Sequence, residues 1–398
     1  MVKNSIQVLI VLVFCLLGLI SCQKDEILSS EVFEVNVSIM DSSQNHVEHH
    51  KYQQLLDDIK NSGVPGISMS VHDPIRGMWL GASGKADLKS NIDLKVGNIT
   101  RVGSTVKTFT ATIILILQEG GKLNLDDRVT DYLTGDEIRD LENADIATIR
   151  QLLNHSSGIY NYISDIQFQT ASLNDLVKEW TPEELLGYAR GQHANFKPGE
   201  DVEYSNTNYI LLGMIISKIE NKPFYKVFEE KIFYPLSLNY TLFAAENPVP
   251  DNIIRGYADL YSNLNVIDVT NYSGWDYYTA DGGLISNPYD LNVFFTSLVN
   301  GEIISSPSLD EMMDWIIPNE EDTEFFPIAH GLGIFKMETE WGEAYFHSGD
   351  AIGYYANMVY FPDQETTICW AVNGNYGKID NFTSTQAAME NIFGVVFD

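Results

Sequence analysis

The sequence predicts an α/β fold of the α+β kind: an antiparallel sheet flanked by helices, with a helical subdomain inserted between the sheet's two halves. Three observations carry this. Strand-like alternation sits near both ends of the chain, at 66–71 and 78–81 and again at 334–335, 344–346, 355–361 and 366–372. A helix that is apolar on most sides, 105–119, follows the first strands and reads as a central, buried one. The long middle, 122–290, reads mostly as helices and loops.

Taken in order, residues 1–21 lie outside the fold. Lys3 precedes an apolar run from Ile6 to Ile20, broken by Gln7 and Gly18. That is the pattern of a secretory signal, too short and too poorly flanked for a confident membrane span. The segment 22–45 is polar, Ser-rich and without helical period, hence a tether. The domain proper is expected over 46–398. Val47, Tyr52, Leu55, Leu56 and Ile59 fall at helical spacing and predict a first helix over 47–62. Asp73-Pro74 and Arg76-Gly77 turn the chain between the first two strands, making a hairpin. Val106, Phe109 and the run from Ile113 to Leu117 fill the apolar helix, which Gly120-Gly121 ends. Further helices are expected at 149–154 and 206–220, and a closing one at 383–393.

Composition narrows the partners. The chain has 398 residues with 55 Asp+Glu against 24 Lys+Arg, a formal net charge of −31. At 44% hydrophobic and 20% charged residues it is globular, not a disordered acidic chain. So negative a surface repels phosphate backbones, which excludes nucleic acid as a partner. It also repels anionic membranes unless a covalent anchor intervenes. Leu19-Ile20-Ser21-Cys22 supplies one, for it resembles the bacterial lipobox, in which the chain is cut before the Cys and the thiol receives lipid. An uncleaved anchor helix is the alternative, and either makes the protein exported and membrane-attached. Gln23-Lys24-Asp25-Glu26 resembles the short signal that sends some lipoproteins to the cell surface; an ordinary hydrophilic tether would look the same. With Cys15 in the signal and Cys22 lipidated, Cys369 is left alone. It cannot form an internal disulfide, and it reads as a buried strand residue rather than a nucleophile.

Three short constellations carry chemistry. In Ser104-Thr105-Val106-Lys107 a helical start puts the serine and the lysine on one face, one turn apart. A lysine whose ammonium pKa is lowered by burial can take the serine's proton, and a helix N-terminus favours a developing oxyanion. In Tyr204-Ser205-Asn206 the phenol can relay a proton, and the amide can hold a carbonyl or orient the lysine. The same spacing recurs at Tyr261 and Tyr355, but only Tyr204 has a Pro198-Gly199 turn before it and an apolar helix after it. His347-Ser348-Gly349 follows a strand signal. Gly349 would let a substrate backbone approach an edge strand, and His347 could bind an anion or move a proton; a structural histidine at a strand end would give the same pattern.

In this order the three pieces resemble the serine β-lactamase and penicillin-binding-protein family, closest to its branch of class C β-lactamases, DD-carboxypeptidases, D-aminopeptidases and esterases. The likeness runs from about residue 50 to the C-terminus. It includes the stretch from Gln151 to Gly158, Pro198-Gly199-Glu200, Ala280-Asp281-Gly282-Gly283-Leu284 with Ser286, and Gly353-Tyr354. The resemblance implies a β-lactamase-like sandwich and a serine hydrolase working through an acyl-enzyme. Ser104 would be acylated, Lys107 would be its base, and Tyr204 would protonate the leaving group. Asn206, His347, Ser348 and Gly349 would bind substrate, and the backbone N–H groups of Ser104 and Asp350 would form the oxyanion hole. His155, inside the matching stretch, would be a packed structural histidine.

Asp350 departs from the family's small or hydroxyl residue. Two like charges ~4 Å apart at an effective dielectric of ~20 repel by about 4 kcal/mol, so Asp350 disfavours a substrate carboxylate. That weighs against β-lactamase and carboxypeptidase activity and for esterase or aminopeptidase-like activity. A protonated His347 would soften the effect. His46, His49 and His50 flank Glu48 but read as a solvated helix start, and neither a metal nor a cofactor is expected. The expected partner is a small-molecule or peptide substrate, including peptidoglycan-derived ones, bound by a monomer. A non-catalytic penicillin- or peptide-binding lipoprotein on the same fold is the alternative.

Overall fold

The computed structural model describes residues 43–398 except 177, 244–252, 273–278 and 320–325. The expected signal, Cys22 and most of the tether lie outside the described residues. Ser43 is already part of the folded body: it is buried, and its Oγ accepts the Leu80 N–H at 3.0 Å.

Eight strands make one antiparallel sheet: β1 (Gly66–Asp73), β2 (Gly77–Asp87), β3 (Ile92–Asp93), β4 (Ile328–His330), β5 (Phe335–Thr339), β6 (Gly342–Ala351), β7 (Tyr354–Phe361) and β8 (Thr366–Val372). Their order is β3-β2-β1-β8-β7-β6-β5-β4. The N-terminal hairpin thus joins the C-terminal strands through β1 and β8, with Ile67 opposite Val372 and Met69 opposite Trp370.

The helices in chain order are α1 (His49–Asn61), α2 (Val106–Glu119), α3 (Ile149–Leu153), α4 (Ile166–Asn174), α5 (Pro182–Ala189), α6 (Asn206–Glu220), α7 (Phe224–Phe228), α8 (Pro288–Val299), α9 (Ser306–Met312), α10 (Asp380–Thr383) and α11 (Gln386–Phe397). β8 explains the layering. It is buried along its whole length, and its side chains alternate between two cores. Ile368, Trp370 and Val372 join the core under α1 and α11, while Cys369 and Ala371 join the core around α2, α6 and α8. The sandwich is therefore helix, sheet, helix, with the helical subdomain stacked on the second layer. α2 lies in the middle, as its composition predicts; Phe109 stacks on Phe294 of α8 with ring centroids 3.5 Å apart. Cys369 is buried in β8, and burial pushes its thiol pKa far up, which leaves it unreactive.

Two readings need refinement. The middle is mostly helix and loop, as expected, but not entirely: residues 242–243, 257–258, 267–268 and 284–286 pair in two small three-stranded sheets with 100–101 and 374–375. Strands of two or three residues are too short to show a period of two. Nor are the early histidines simply solvated. His49 Nδ1 accepts the Trp79 indole N–H at 3.2 Å and so helps seat α1 on the sheet, while His46 Nδ1 accepts the Glu48 N–H at 3.2 Å in the turn before the helix. Among the described residues no group of His, Cys, Asp and Glu is placed to hold a metal ion.

Candidate active site

The site is a cleft of about 400 Å3 where the sheet meets the helical subdomain. Residues 103–105 form a single 3₁₀ turn that leads into α2. Gly103 has φ +50, and a Cβ there would lie 2.6 Å from the Asp350 carbonyl oxygen. Across from it, a Cβ on Gly349 would lie 2.0 Å from the Val102 carbonyl oxygen and 2.6 Å from the Ser104 nitrogen. Two glycines therefore let the start of α2 and the end of β6 touch backbone to backbone. The missing side chain of Gly349 also makes room for the serine turn. β6 is an interior strand, but its pairing with β5 stops at Phe346 opposite Phe335. Residues 347–351 run on beyond β5, giving the sheet a local edge at the cleft.

Lys107, one turn after Ser104, is fully buried. Its Nζ lies 3.0 Å from Ser104 Oγ, 2.8 Å from Asn206 Oδ1 and 2.6 Å from the Asp281 carbonyl oxygen. The last two can only accept, so they take two N–H bonds of a neutral amine. The amine's lone pair is then left for the serine's proton. Burial supplies the neutral form: it lowers the Lys107 pKa to about 7, against the opposing pull of Asp281. Asp281 is itself buried and its pKa is raised; its carboxylate accepts the Tyr162 hydroxyl at 3.0 Å.

Tyr204 and Asn206 come from the loop that opens α6. Asn206 is that helix's first residue, and the turn before it is closed by the Glu200 N–H on the Lys197 carbonyl at 3.0 Å. The Tyr204 phenol interacts with the Ser104 hydroxyl, yet burial pushes its pKa well above the ordinary range, so it keeps its proton. Its ring lies over Lys107 Nζ, 4.9 Å from the centroid. The two decoys differ: Tyr261 is exposed on the surface, and Tyr355 is buried in β7.

His155 is the packed histidine its stretch predicts. Nδ1 accepts the Ser205 N–H at 3.1 Å, its carbonyl accepts the Glu203 N–H at 3.1 Å, and its ring lies 4.5 Å from that of Tyr204. Asn161 was not singled out from the sequence. Its Oδ1 accepts from the Asn206 backbone at 3.2 Å, and its Nδ2 donates to the Tyr204 carbonyl at 3.3 Å. No local pattern marks it, since only the fold brings its loop to α6.

His347 departs from one expectation. Burial, with Lys107 nearby, lowers its pKa to about 3, so it is neutral and cannot bind an anion by charge. Nδ1 lies 2.7 Å from the Ser348 carbonyl and must carry the hydrogen, which leaves Nε2 as a bare acceptor. Asp350 opens to the cleft while protein surrounds it on its other sides; that burial, with Asp380 nearby, raises its pKa to about 6, against the Asn375 amide at 3.3 Å. A neutral His347 does not compensate it.

The Beta-lactamase family model matches residues 50–389. Penicillin-binding protein 4* of Bacillus subtilis is 29% identical over 330 residues, covering 79% of this chain and 69% of that protein. Protein flp of Staphylococcus aureus is 27% identical over 244 residues, and the chain spans 47% of its length. Among solved structures, a D-stereospecific amidohydrolase from Streptomyces sp. superposes with a TM-score of 0.75 at 30% identity, covering 88% of this chain and 98% of that one. The D-amino acid amidase of Ochrobactrum anthropi SV3 gives 0.76 at 27% identity, covering 87% and 97%. An octameric penicillin-binding protein homologue from Pyrococcus abyssi gives 0.72 at 26%, covering 87% of this chain and 77% of that one.

Proposed function

The chain belongs to the beta-lactamase family, and on that premise we propose that it is a serine hydrolase of amides or esters in which Ser104 is acylated, Lys107 is the base and Tyr204 the acid. The observation that carries this is the Lys107 amine, buried, with two acceptors fixing its N–H bonds and its lone pair turned to Ser104 Oγ. As Oγ bonds to the substrate carbonyl carbon, its proton passes to Lys107 Nζ and the carbonyl π pair moves to oxygen. The abutting backbone of Ser104 and Asp350 supports the expected oxyanion hole at that oxygen. When the C–N or C–O bond breaks, the Tyr204 hydroxyl gives its proton to the leaving group and is reprotonated through Lys107. Water then attacks the acyl-enzyme by the reverse proton path.

The similarity to a D-stereospecific amidohydrolase and a D-amino acid amidase supports D-amino-acid amides and esters as substrates. Asp350 on the cleft wall supports the reading that a carboxylate beside the scissile bond is disfavoured, as in β-lactams and peptides ending in D-alanine. The test is turnover of a p-nitrophenyl ester followed by intact-mass spectrometry. An acyl adduct on Ser104 that forms and clears, and is abolished in Ser104→Ala, is the expected result. Equal inertness of both proteins across esters, D-amino-acid amides and β-lactams would leave only a binding role.

Residues 1–26 support an exported protein held to the envelope by lipid on Cys22, and the charge run after it supports the outer membrane or cell surface. Cys22→Ala should fail to incorporate labelled palmitate.

A further inference from the structure

The acidity of the chain is not spread evenly. Residues 43–95, which hold α1 and β1–β3, carry six Asp or Glu against six Lys or Arg, so this edge of the sheet is neutral in a molecule of net charge −31. The same edge receives the chain from the N-terminus. Ser43, the first described residue, lies on β2, where its Oγ accepts the Leu80 N–H. Near that entry point stand two exposed apolar side chains, Val47 before α1 at 75% exposure and Ile75 in the β1–β2 turn at 92%. The turn is built to hold Ile75 outward. Asp73 Oδ1 accepts the backbone N–H groups of Ile75 and Arg76 at 2.7 and 2.9 Å, and Gly77 closes the turn at φ +81. Arg76 ties the turn to α1, pairing with Asp73 at 2.7 Å and with Glu48 at 3.2 Å. The charges beside the two apolar side chains are thereby paired with one another. The register places the catalytic cleft at the far end of the sheet. Asp350 on the cleft wall lies opposite Tyr355, Tyr355 opposite Val372, and Val372 opposite Ile67. From Ile67 to Asp73 the strand rises about 20 Å.

From this geometry we infer that the β1–β2 turn and the start of α1 form a surface that rests on a lipid bilayer, with Val47 and Ile75 in the headgroup layer and the cleft end of the sheet turned away. The inference rests on the Cys22 anchor proposed above and adds an orientation to it. The anchor alone sets none, because residues 23–42 can span up to about 70 Å between Cys22 and Ser43. Charge makes the choice. An anionic bilayer repels the acidic faces of the molecule once they come within a Debye length, about 8 Å at physiological salt. The neutral edge meets no such cost, and it also carries apolar side chains suited to the interface. Leu173 and Tyr261 are exposed as well, but they belong to the part of the chain that holds the negative charge. An enzyme so placed takes its substrates from the solvent side and not from within the lipid.

The test uses the full-length lipidated protein in vesicles of phosphatidylethanolamine and phosphatidylglycerol. With Cys22 lipidated and Cys369 buried, a cysteine introduced at the surface is the one that takes a label. The fluorophore NBD on Ile75→Cys should lose about half its emission or more to a nitroxide carried on the lipid acyl chains, as a group seated at the headgroup boundary does. On Leu173→Cys or Tyr261→Cys it should lose little. Hydrogen exchange gives a reading without a label. In wild type the amides of 44–48 and 74–77 should exchange several-fold more slowly on vesicles than in detergent. In Val47→Asp/Ile75→Asp that difference should vanish, with palmitate incorporation and p-nitrophenyl acetate turnover unchanged. Equal quenching at the three positions, or quenching greatest at Leu173 or Tyr261, overturns the orientation, as does wild-type exchange at 74–77 that is the same on vesicles and in detergent. Palmitate separates the two proposals. A lipidated protein that fails these readings keeps the anchor and loses the orientation; a protein that takes up no palmitate removes the anchor itself, and the orientation with it.

Discussion

Two ionisable groups of the site, one behind the cleft wall and one on it, stand in opposite conditions. Lys107 is sealed among protein atoms, and all its partners are internal: Ser104, Asn206 and the Asp281 carbonyl. Asp350 opens to the cleft and has one amide partner. Burial moves both towards neutrality, Lys107 down to about 7 and Asp350 up to about 6. The difference lies in what remains free. The geometry of Lys107 is complete before any substrate arrives, as a base requires. Asp350 still lacks a counter-charge, as a group that selects a ligand does. A pKa shift alone does not separate machinery from recognition; the count of satisfied hydrogen bonds does.

The sharpest way to break this comparison is at the base. Lys107→Arg keeps the positive charge but cannot lose a proton near neutrality, so acylation of Ser104 should fall by roughly 10²–10⁴, the usual worth of general base catalysis. Retained acylation, measured by rapid-quench mass spectrometry, would show that the amine is needed only as a cation. Tyr204→Phe should rank next. Amide turnover should drop by about 10²-fold or more, while p-nitrophenyl ester turnover drops less, because p-nitrophenolate needs no proton to leave. Equal losses on both substrates would assign Tyr204 to binding instead. Asn161→Ala should cost a few-fold in kcat with little change in KM, from about 1 kcal/mol of hydrogen bonding to the Tyr204–Asn206 segment. Smallest of all, Cys369→Ala should leave acylation unchanged, and native protein should resist thiol reagents until it unfolds.

The same contrast shows what the sequence makes legible. Ser104 and Lys107 sit one helical turn apart, so their meeting is local and readable from spacing. The hairpin strands at 66–71 and 78–81 and the strand 366–372 are readable too, because long buried strands are written as apolar runs bounded by turn residues. What brings Asn206 and the Asp281 carbonyl to Lys107 is packing across 99 and 174 residues of chain, which no spacing reveals. Asn161 belongs to this second group. The charge state of His347 escaped for a further reason. An imidazole's pKa depends on how completely it is buried, and a His-Ser-Gly triplet says nothing of burial. The two- and three-residue strands of the middle region stayed invisible because they are shorter than any period.

The central claim is that Lys107 is a neutral amine when Ser104 is attacked. The most direct measurement is the pH dependence of Ser104 acylation by p-nitrophenyl acetate, a substrate that does not titrate. The sign is fixed by the lowered pKa: the base is present above about 7 and lost as pH falls below it. The acylation rate should rise tenfold per pH unit at low pH and level off near pH 7. A rate that keeps rising to about pH 10, where an ordinary lysine titrates, or one that does not change with pH, would contradict the account.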